Sequence, residues 1–395
     1  MKQAIFVLWF FFFFTGLGLI VPQFSPFVYS FLNLENPGLI FLVGQLTLPL
    51  GSIATGYISD RTLLVRIPLV VLTLSAALSI AIFSQARTFS GNSYFEIYCI
   101  SSWALFTASM GGIMPLINVA YLQSGCNPNQ FGLVRMSGTI GFMVPNALIA
   151  FTDLPGKIVS NNYFLPASIL LLISTIFAFL VPRDRTIEER EPRVAVDLHG
   201  ALSLVRSKQF IIFLLVMLIF YIGFSTSEYV ITDFLSRIPF YFDPVGFSWL
   251  IGPGLEVVFF IFSPWLLNRF GSVQILQIAF LASIARYGGM LLLPYGPALV
   301  YLQVLHGIHF SPAHLGYVIH LKERSPPRLL GTANALFLVF SRSLGLGVGA
   351  YFFGNMARSG HFDYAFFGAA IAGLVGFILL RIYIHLDKAR LAFRD

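Results

Sequence analysis

Charge is what this sequence has least of. Of its 395 residues only 10% are Asp, Glu, Lys or Arg, against about a quarter in an ordinary soluble domain, so water is not the main solvent of the folded chain. Cysteine is scarce too, with Cys99 and Cys126 the two present. One falls at the outer end of an apolar run and the other in the loop after it, on opposite faces, which argues against a disulfide and supplies no metal motif. A Walker loop, a Gly-x-Ser-x-Gly turn and a His-Glu-x-x-His helix are all missing. Nucleotide-driven work and hydrolysis therefore have no support, and neither an enzyme nor a cofactor is expected.

What fills the chain instead is apolar: 57% of residues are hydrophobic and 16% aromatic. A helix crossing a bilayer needs about 20 apolar residues. Twelve such runs can be placed, at 4–32, 38–58, 67–85, 95–122, 132–151, 164–181, 210–234, 245–267, 273–293, 298–320, 331–354 and 364–384. The expectation is an all-α integral membrane protein of twelve transmembrane helices. The first run lacks a small-residue cleavage site and is too long for the core of a secretory signal, so it reads as a permanent helix bent at Pro22 and Pro26. The phenylalanine run 10–14 reads as lipid-facing bulk.

Orientation follows from the basic residues. With the N-terminus inside, 18 Lys and Arg fall in cytoplasmic segments and four (Arg87, Lys157, Arg237 and Arg358) fall outside. That asymmetry predicts both termini in the cytoplasm and a multi-pass protein of the cytoplasmic (inner) membrane. It also accounts for the net charge of +7 without invoking nucleic acid. The longest hydrophilic stretch, 182–208, mixes both charge signs and carries Pro182 and Pro192. It reads as a cytoplasmic linker between a first bundle at 1–181 and a second at 209–395, with a short interfacial helix at its end.

A faint repeat supports two halves. Gly56-Tyr-Ile-Ser-Asp60-Arg61 follows the second run, and Pro264-Trp-Leu-Leu-Asn268-Arg269-Phe-Gly271 follows the eighth. Read alone, both are basic turns of the cytoplasmic side. Together with the six-plus-six layout they resemble the loop signature of the major facilitator superfamily, Gly-x-x-x-Asp-Arg-x-Gly-Arg. Further along come Gly246-Phe-Ser-Trp249-Leu-Ile-Gly252-Pro-Gly-Leu-Glu256, then Arg286-Tyr287, Leu305-His306-Gly307-Ile-His-Phe310, Pro326-Pro327 and Gly345-Leu-Gly347. In the first half stands Phe131-Gly132-Leu-Val-Arg135-Met-Ser-Gly138-Thr-Ile-Gly141-Phe142. This pattern resembles the phenylpropionate permease-like branch, related to lactose permease and the nucleoside–proton symporters. It departs at Ser137, Asn118 and Phe131, where that branch usually has Trp, Asp and Tyr. The resemblance implies two pseudo-symmetric six-helix bundles and alternating access. It further implies gating roles for Asp60, Arg61, Arg135, Asn268 and Arg269, although from the residues alone Arg135 would touch headgroups or the neighbouring loop.

Ionisable side chains inside a span cost roughly 2.5–3.5 kcal/mol each, so they face a cavity or a partner. Four lie near the midplane, all in the second half: Glu256, Arg286, His306 and Arg342. Glu228 and Asp233 lie toward the outer end of the seventh run. A carboxylate whose proton affinity changes as Arg286 approaches or leaves, with His306 to relay the proton, makes Glu256, Arg286 and His306 the proton-coupling candidates. The plainer reading is a Glu256–Arg286 pair that only joins helices. If those two neutralise each other, Arg342 is left as a planar donor for a carboxylate, with His306 and Glu228 beside it in the substrate site; the plainer reading pairs Arg342 with Glu228 or a backbone carbonyl. His306, His309 and His320 fall within about 60° on one helix face, but the spacing of a zinc motif is absent and no metal is expected. The partners expected are a small solute, protons and the lipid bilayer, with the protein acting as a monomer. The function expected is secondary active transport of a small organic solute, an organic acid among the candidates, by proton symport. The alternatives are a sugar or nucleoside symporter and a non-transporting receptor or lipid-handling protein on the same fold.

Overall fold

The structure, a computed structural model, describes residues 2–62, 65–126, 131–152, 162–182, 198–326 and 329–392. In hydrocarbon no water is at hand for a backbone N–H or C=O, so each apolar run must satisfy its own groups, and helices result. They are α1 (Lys2–Pro26), α2 (Pro37–Thr62), α3 (Arg66–Ser84), α4 (Phe95–Gln123), α5 (Phe131–Phe151), α6 (Phe164–Leu180), the short α7 (Leu198–Arg206), and α8 (Lys208–Tyr229, continued by Ile231–Leu235). Then follow α9 (Pro244–Phe270), α10 (Ser272–Leu292), α11 (Leu305–Arg324), α12 (Leu330–Phe337 continuing through Leu344–Arg358) and α13 (Phe362–Ala392). Ten helices among the described residues are long and apolar enough to cross a membrane, and α6 is a shorter apolar one. The tenth expected run is α11, whose His306, His309, His314 and His320 dilute its hydropathy. The protein is an all-α, multi-pass membrane protein.

Where proline removes a donor in α1, the helix widens. A π-turn covers Phe27–Leu32 directly after Pro26, and Asn33 ends it in the left-handed region at φ 54°. The phenylalanine run differs from its lipid-facing expectation. Phe10 and Phe13 are fully buried beside Trp9, and Phe12 stacks on Phe177 of α6 with ring centroids 5.6 Å apart. Hydropathy cannot distinguish a lipid-facing Phe from one packed against another helix, and here most of the run serves packing.

Two compact units emerge: Met1–Arg193 with Tyr241–Trp249, and Val194–Phe240 with Leu250–Asp395. Of the expected linker 182–208, residues 183–197 lie outside the described residues. Inside the first unit α1 packs on α5 and α6, α3 on α4 and α6, and α2 on α4. Inside the second, α8 packs on α12 and α13, and α10 on α11 and α13. The second unit thus repeats four pairings of the first in the same chain order, which is the pseudo-symmetry of two bundles. Small residues let equivalent pairs approach alike: Gly141 of α5 faces the Phe11 carbonyl of α1, and Gly349 of α12 faces the Ile222 carbonyl of α8. The core of the second unit is largely aromatic, with Phe213, Phe220, Phe224, Phe280 and Phe337 buried.

Candidate functional site

The site forms where α8, α9, α10 and α11 meet inside the second unit. Before α11 becomes regular, a 3-10 turn over Leu302–Val304 carries Gln303, whose amide donates to the Leu299 carbonyl at 2.9 Å. That bond fixes the amide so that its oxygen accepts from Arg286 twice, at 3.1 Å from Nε and 2.6 Å from Nη2. The Arg286 Nη1 donates to Ser227 Oγ of α8 at 2.6 Å and meets His306 Nδ1 at 3.1 Å. Ser227 also bonds the Tyr287 hydroxyl at 2.7 Å. A guanidinium 2% exposed is thereby held by acceptors from two neighbouring helices, which offsets the cost of taking it out of water.

Glu256 reaches this network through His306. Its Oε1 lies 3.4 Å from His306 Nε2. The direct Glu256–Arg286 neutralisation expected from the sequence is therefore corrected: the imidazole stands between them, and among the described residues Arg286 bonds neutral partners only. Side-chain exposure falls from 19% at Glu256 to 10% at His306 and nearly to nothing at Arg286, so the chain runs from its open end inward. Glycines permit this reach. A Cβ on Gly307 would lie 2.8 Å from the Glu256 amide nitrogen and 2.9 Å from the Gly252 carbonyl oxygen, so α9 and α11 touch backbone to backbone.

Arg342 sits in a π-turn, Leu338–Ser343, inside α12. Such turns widen a helix by one residue and redirect a side chain. Buried Ser341 anchors the turn by donating to the Leu214 carbonyl at 2.8 Å. Arg342 itself is half-buried and makes no hydrogen bond or ion pair among the described residues. Its charge acts on Glu228, His314, Tyr317 and Tyr221, and Glu228 feels Arg286 as well. Rings connect this group to the first one. His306, Phe310 and His314 stack in turn along α11 at 6.1 and 5.7 Å, His314 meets Tyr317 edge-on, and Tyr317 stacks on Phe337 of α12 at 4.0 Å.

The gating candidates are scattered. Side chains of Asp60 and Arg61 lie outside the described residues, while Asn268 and Arg269 are exposed at the end of α9. Arg135 lies over the Phe14 ring at 4.1 Å and the Phe10 ring at 5.5 Å, so it meets α1 aromatics. Asp233 is buried and bonded to Arg237 at 2.8 Å, outside the network. His320 bonds the Tyr383 hydroxyl at 2.7 Å, apart from His306, and no group of three metal-ligating residues occurs among the described residues. Sequence reasoning missed Gln303 and Ser227. The signal for Gln303 was its place three residues before His306, hence on a neighbouring face of the same helix.

Residues 5–367 match the family described as MFS_1 like family. Among known proteins, the chain is 24% identical over 334 residues to YegT of Escherichia coli (strain K12), described as a nucleoside transporter, covering 80% of this chain and 74% of that one. It is 23% identical over 326 residues to the protein of the same organism described as a 3-phenylpropionic acid transporter, covering 80% and 81%. The fold is similar to the crystal structure of the nucleoside transporter NupG, with a TM-score of 0.76, 17% identity and 98% and 99% of the two chains covered. With its all-α architecture and repeated helix pairing, the chain belongs to the MFS_1-like family, among the transporters of the major facilitator superfamily.

Proposed function

We propose that this secondary transporter is a proton-coupled symporter for a small organic acid. The observation that carries the proton coupling is the sequence of contacts from Glu256 through His306 to Arg286. A partly open carboxylate is joined to a fully buried guanidinium by the one side chain whose ordinary titration lies near neutrality. Protonation at the outer end of such a chain changes the hydrogen bonds at its inner end, and rocking of a helix bundle would gate that change. Arg342 supports the acid: a half-buried fork donor with no hydrogen-bond partner among the described residues suits a carboxylate, which takes two parallel bonds from it. Glu228, which feels both Arg342 and Arg286, is a further ionisable group of the region. The similarity to a protein described as a 3-phenylpropionic acid transporter supports this reading. The similarity to YegT favours a nucleoside as the second reading.

The same proposal places two six-helix halves, 1–181 and 209–395, on either side of a cytoplasmic linker at 182–208. Both termini lie in the cytoplasm, and a monomer works in the inner membrane. Asp60, Arg61, Arg135, Asn268 and Arg269 act at its gates. The test is accumulation in proteoliposomes. A thermal-shift screen over 3-phenylpropionate, its amide, maltose and uridine selects the solute, and an imposed inward proton gradient should then concentrate it in a protonophore-sensitive way. Binding without transport would point to a receptor, and accumulation of uridine but not of any acid would favour the nucleoside.

A further inference from the structure

His309 is fully buried, and neither ring nitrogen has a hydrogen-bond partner among the described residues. Its walls are aromatic: Phe220 and Phe224 of α8 and Tyr287 of α10 meet the imidazole at 5.0, 4.9 and 5.6 Å. A purely apolar ring would fit that box without leaving two polar atoms unsatisfied, each of which costs on the order of 1–3 kcal/mol. A residue that carries such a cost in one state is expected to recover it in another.

Hydrogen-bond logic supplies the other state. A guanidinium can only donate, so the 3.1 Å contact between Arg286 Nη1 and His306 Nδ1 requires an unprotonated Nδ1. The ring proton of neutral His306 therefore lies on Nε2, facing Glu256 Oε1. A second proton on this ring has one place to go, the Nδ1 lone pair. When it arrives an N–H bond forms there, the Nη1–Nδ1 hydrogen bond breaks, and two cationic groups are left facing each other. The guanidinium keeps Gln303 and Ser227 but needs a new acceptor for Nη1. The titratable and charged groups facing this region are Glu256 on α9, Arg286 and Tyr287 on α10, Glu228 on α8 and His309 on α11. Glu256 lies beyond His306, and the Tyr287 hydroxyl is already bonded to Ser227. Glu228, the competing acceptor, is drawn more to Arg342 than to Arg286; a His309 left unmoved would hand the donor to Glu228. His309 is three residues from His306, its ring lies 5.6 Å from the Tyr287 ring, and the Arg286 guanidinium lies 5.9 Å from that same ring.

We infer that His309 is the second acceptor of the Arg286 guanidinium, taking its Nη1 donor whenever a proton on His306 Nδ1 removes the first. His309 is then a positioning residue. It gives the buried cation two docking points on one helix, so a single proton moves the tie between α10 and α11 by three residues. This rests on the proposed proton coupling. It also gives His309 a reason to be imidazole in a box shaped for phenylalanine.

The test needs no solute. The chain has seven histidines, so the wild-type protein labelled with ¹⁵N-histidine in lipid nanodiscs gives few imidazole signals. His309→Phe assigns the one in question, with His309→Gln in reserve if the first folds poorly. At alkaline pH, His306 should show the Nε2–H tautomer and His309 a nitrogen without a hydrogen bond. As His306 takes its second proton, one His309 nitrogen should shift to the position of a hydrogen-bonded acceptor with the same midpoint. A His309 signal that stays fixed while His306 titrates overturns the inference, as does an Nδ1–H tautomer of His306 at alkaline pH. Failure of gradient-driven accumulation with this spectral response intact would strike the proposed function alone.

Discussion

The Arg286 guanidinium meets His306 Nδ1 at 3.1 Å, and a group that can only donate leaves the imidazole proton on the side of Glu256. One contact thus sets the tautomer of the residue that joins the acid to the buried cation. A proton added to His306 would compete with Arg286 for the same lone pair.

Replacing the acid separates coupling from movement. In Glu256→Gln the titrating group is lost while the shape is kept. Proton-driven accumulation should be lost. Exchange of labelled for unlabelled solute should persist. Accumulation against a gradient by this variant would make Glu256 a structural residue.

Removing the cation should do more damage to the fold. Arg286→Ala strands Gln303 Oε1 and His306 Nδ1 without their donor and leaves Ser227 Oγ with Tyr287 alone, at on the order of 1–3 kcal/mol for each group left unsatisfied. The melting temperature in detergent should drop clearly below that of Glu256→Gln. Equal stability of the two variants would mean that Arg286 is not held by these acceptors.

The helix contact that brings Glu256 to His306 is equally open to test. Gly307→Ala places a methyl 2.8 Å from the Glu256 amide nitrogen, whereas a Cβ at Gly254 on α9 meets nothing within 4 Å. The first should cost about 1–3 kcal/mol as overpacking and impair transport, and Gly254→Ala should be tolerated. Matched thermal melts and uptake rates decide it, and a silent Gly307→Ala would mean α9 and α11 can part without loss.

Charge selectivity is the prediction attached to Arg342. Wild-type protein should prefer an acid over its amide analogue, and Arg342→Gln should lose that preference through its missing bidentate bond, which is worth roughly 1.5–3 kcal/mol. Competition of 3-phenylpropionate and its amide for labelled solute measures this, and an unchanged ratio in the variant removes Arg342 from the substrate site.

Much of this was legible in the sequence, for definite reasons. Long apolar runs announce membrane helices because lipid offers the backbone no partners, and Arg286, Glu256 and His306 stand out because charge inside such runs is costly. The link between them was not legible. Ser227 and Gln303 carry no charge to mark them, and that both face Arg286 depends on the 3-10 turn at Gln303 and on how α8 meets α10. The burial of Phe10 and Phe13 was hidden likewise, since both lipid and protein interiors favour phenylalanine. Arg342 was visible as a charge, but the π-turn that presents it has no signature in Leu338–Ser343.

The most direct test of the central claim records both fluxes at once. Proteoliposomes holding a pH-sensitive dye, with no imposed gradient, are given the solute selected by the thermal-shift screen, and internal pH and labelled solute are followed together. Solute entry should acidify the lumen in step with uptake, and Glu256→Gln should exchange solute without the pH change. Solute entry with no proton movement in the wild type would contradict the claim.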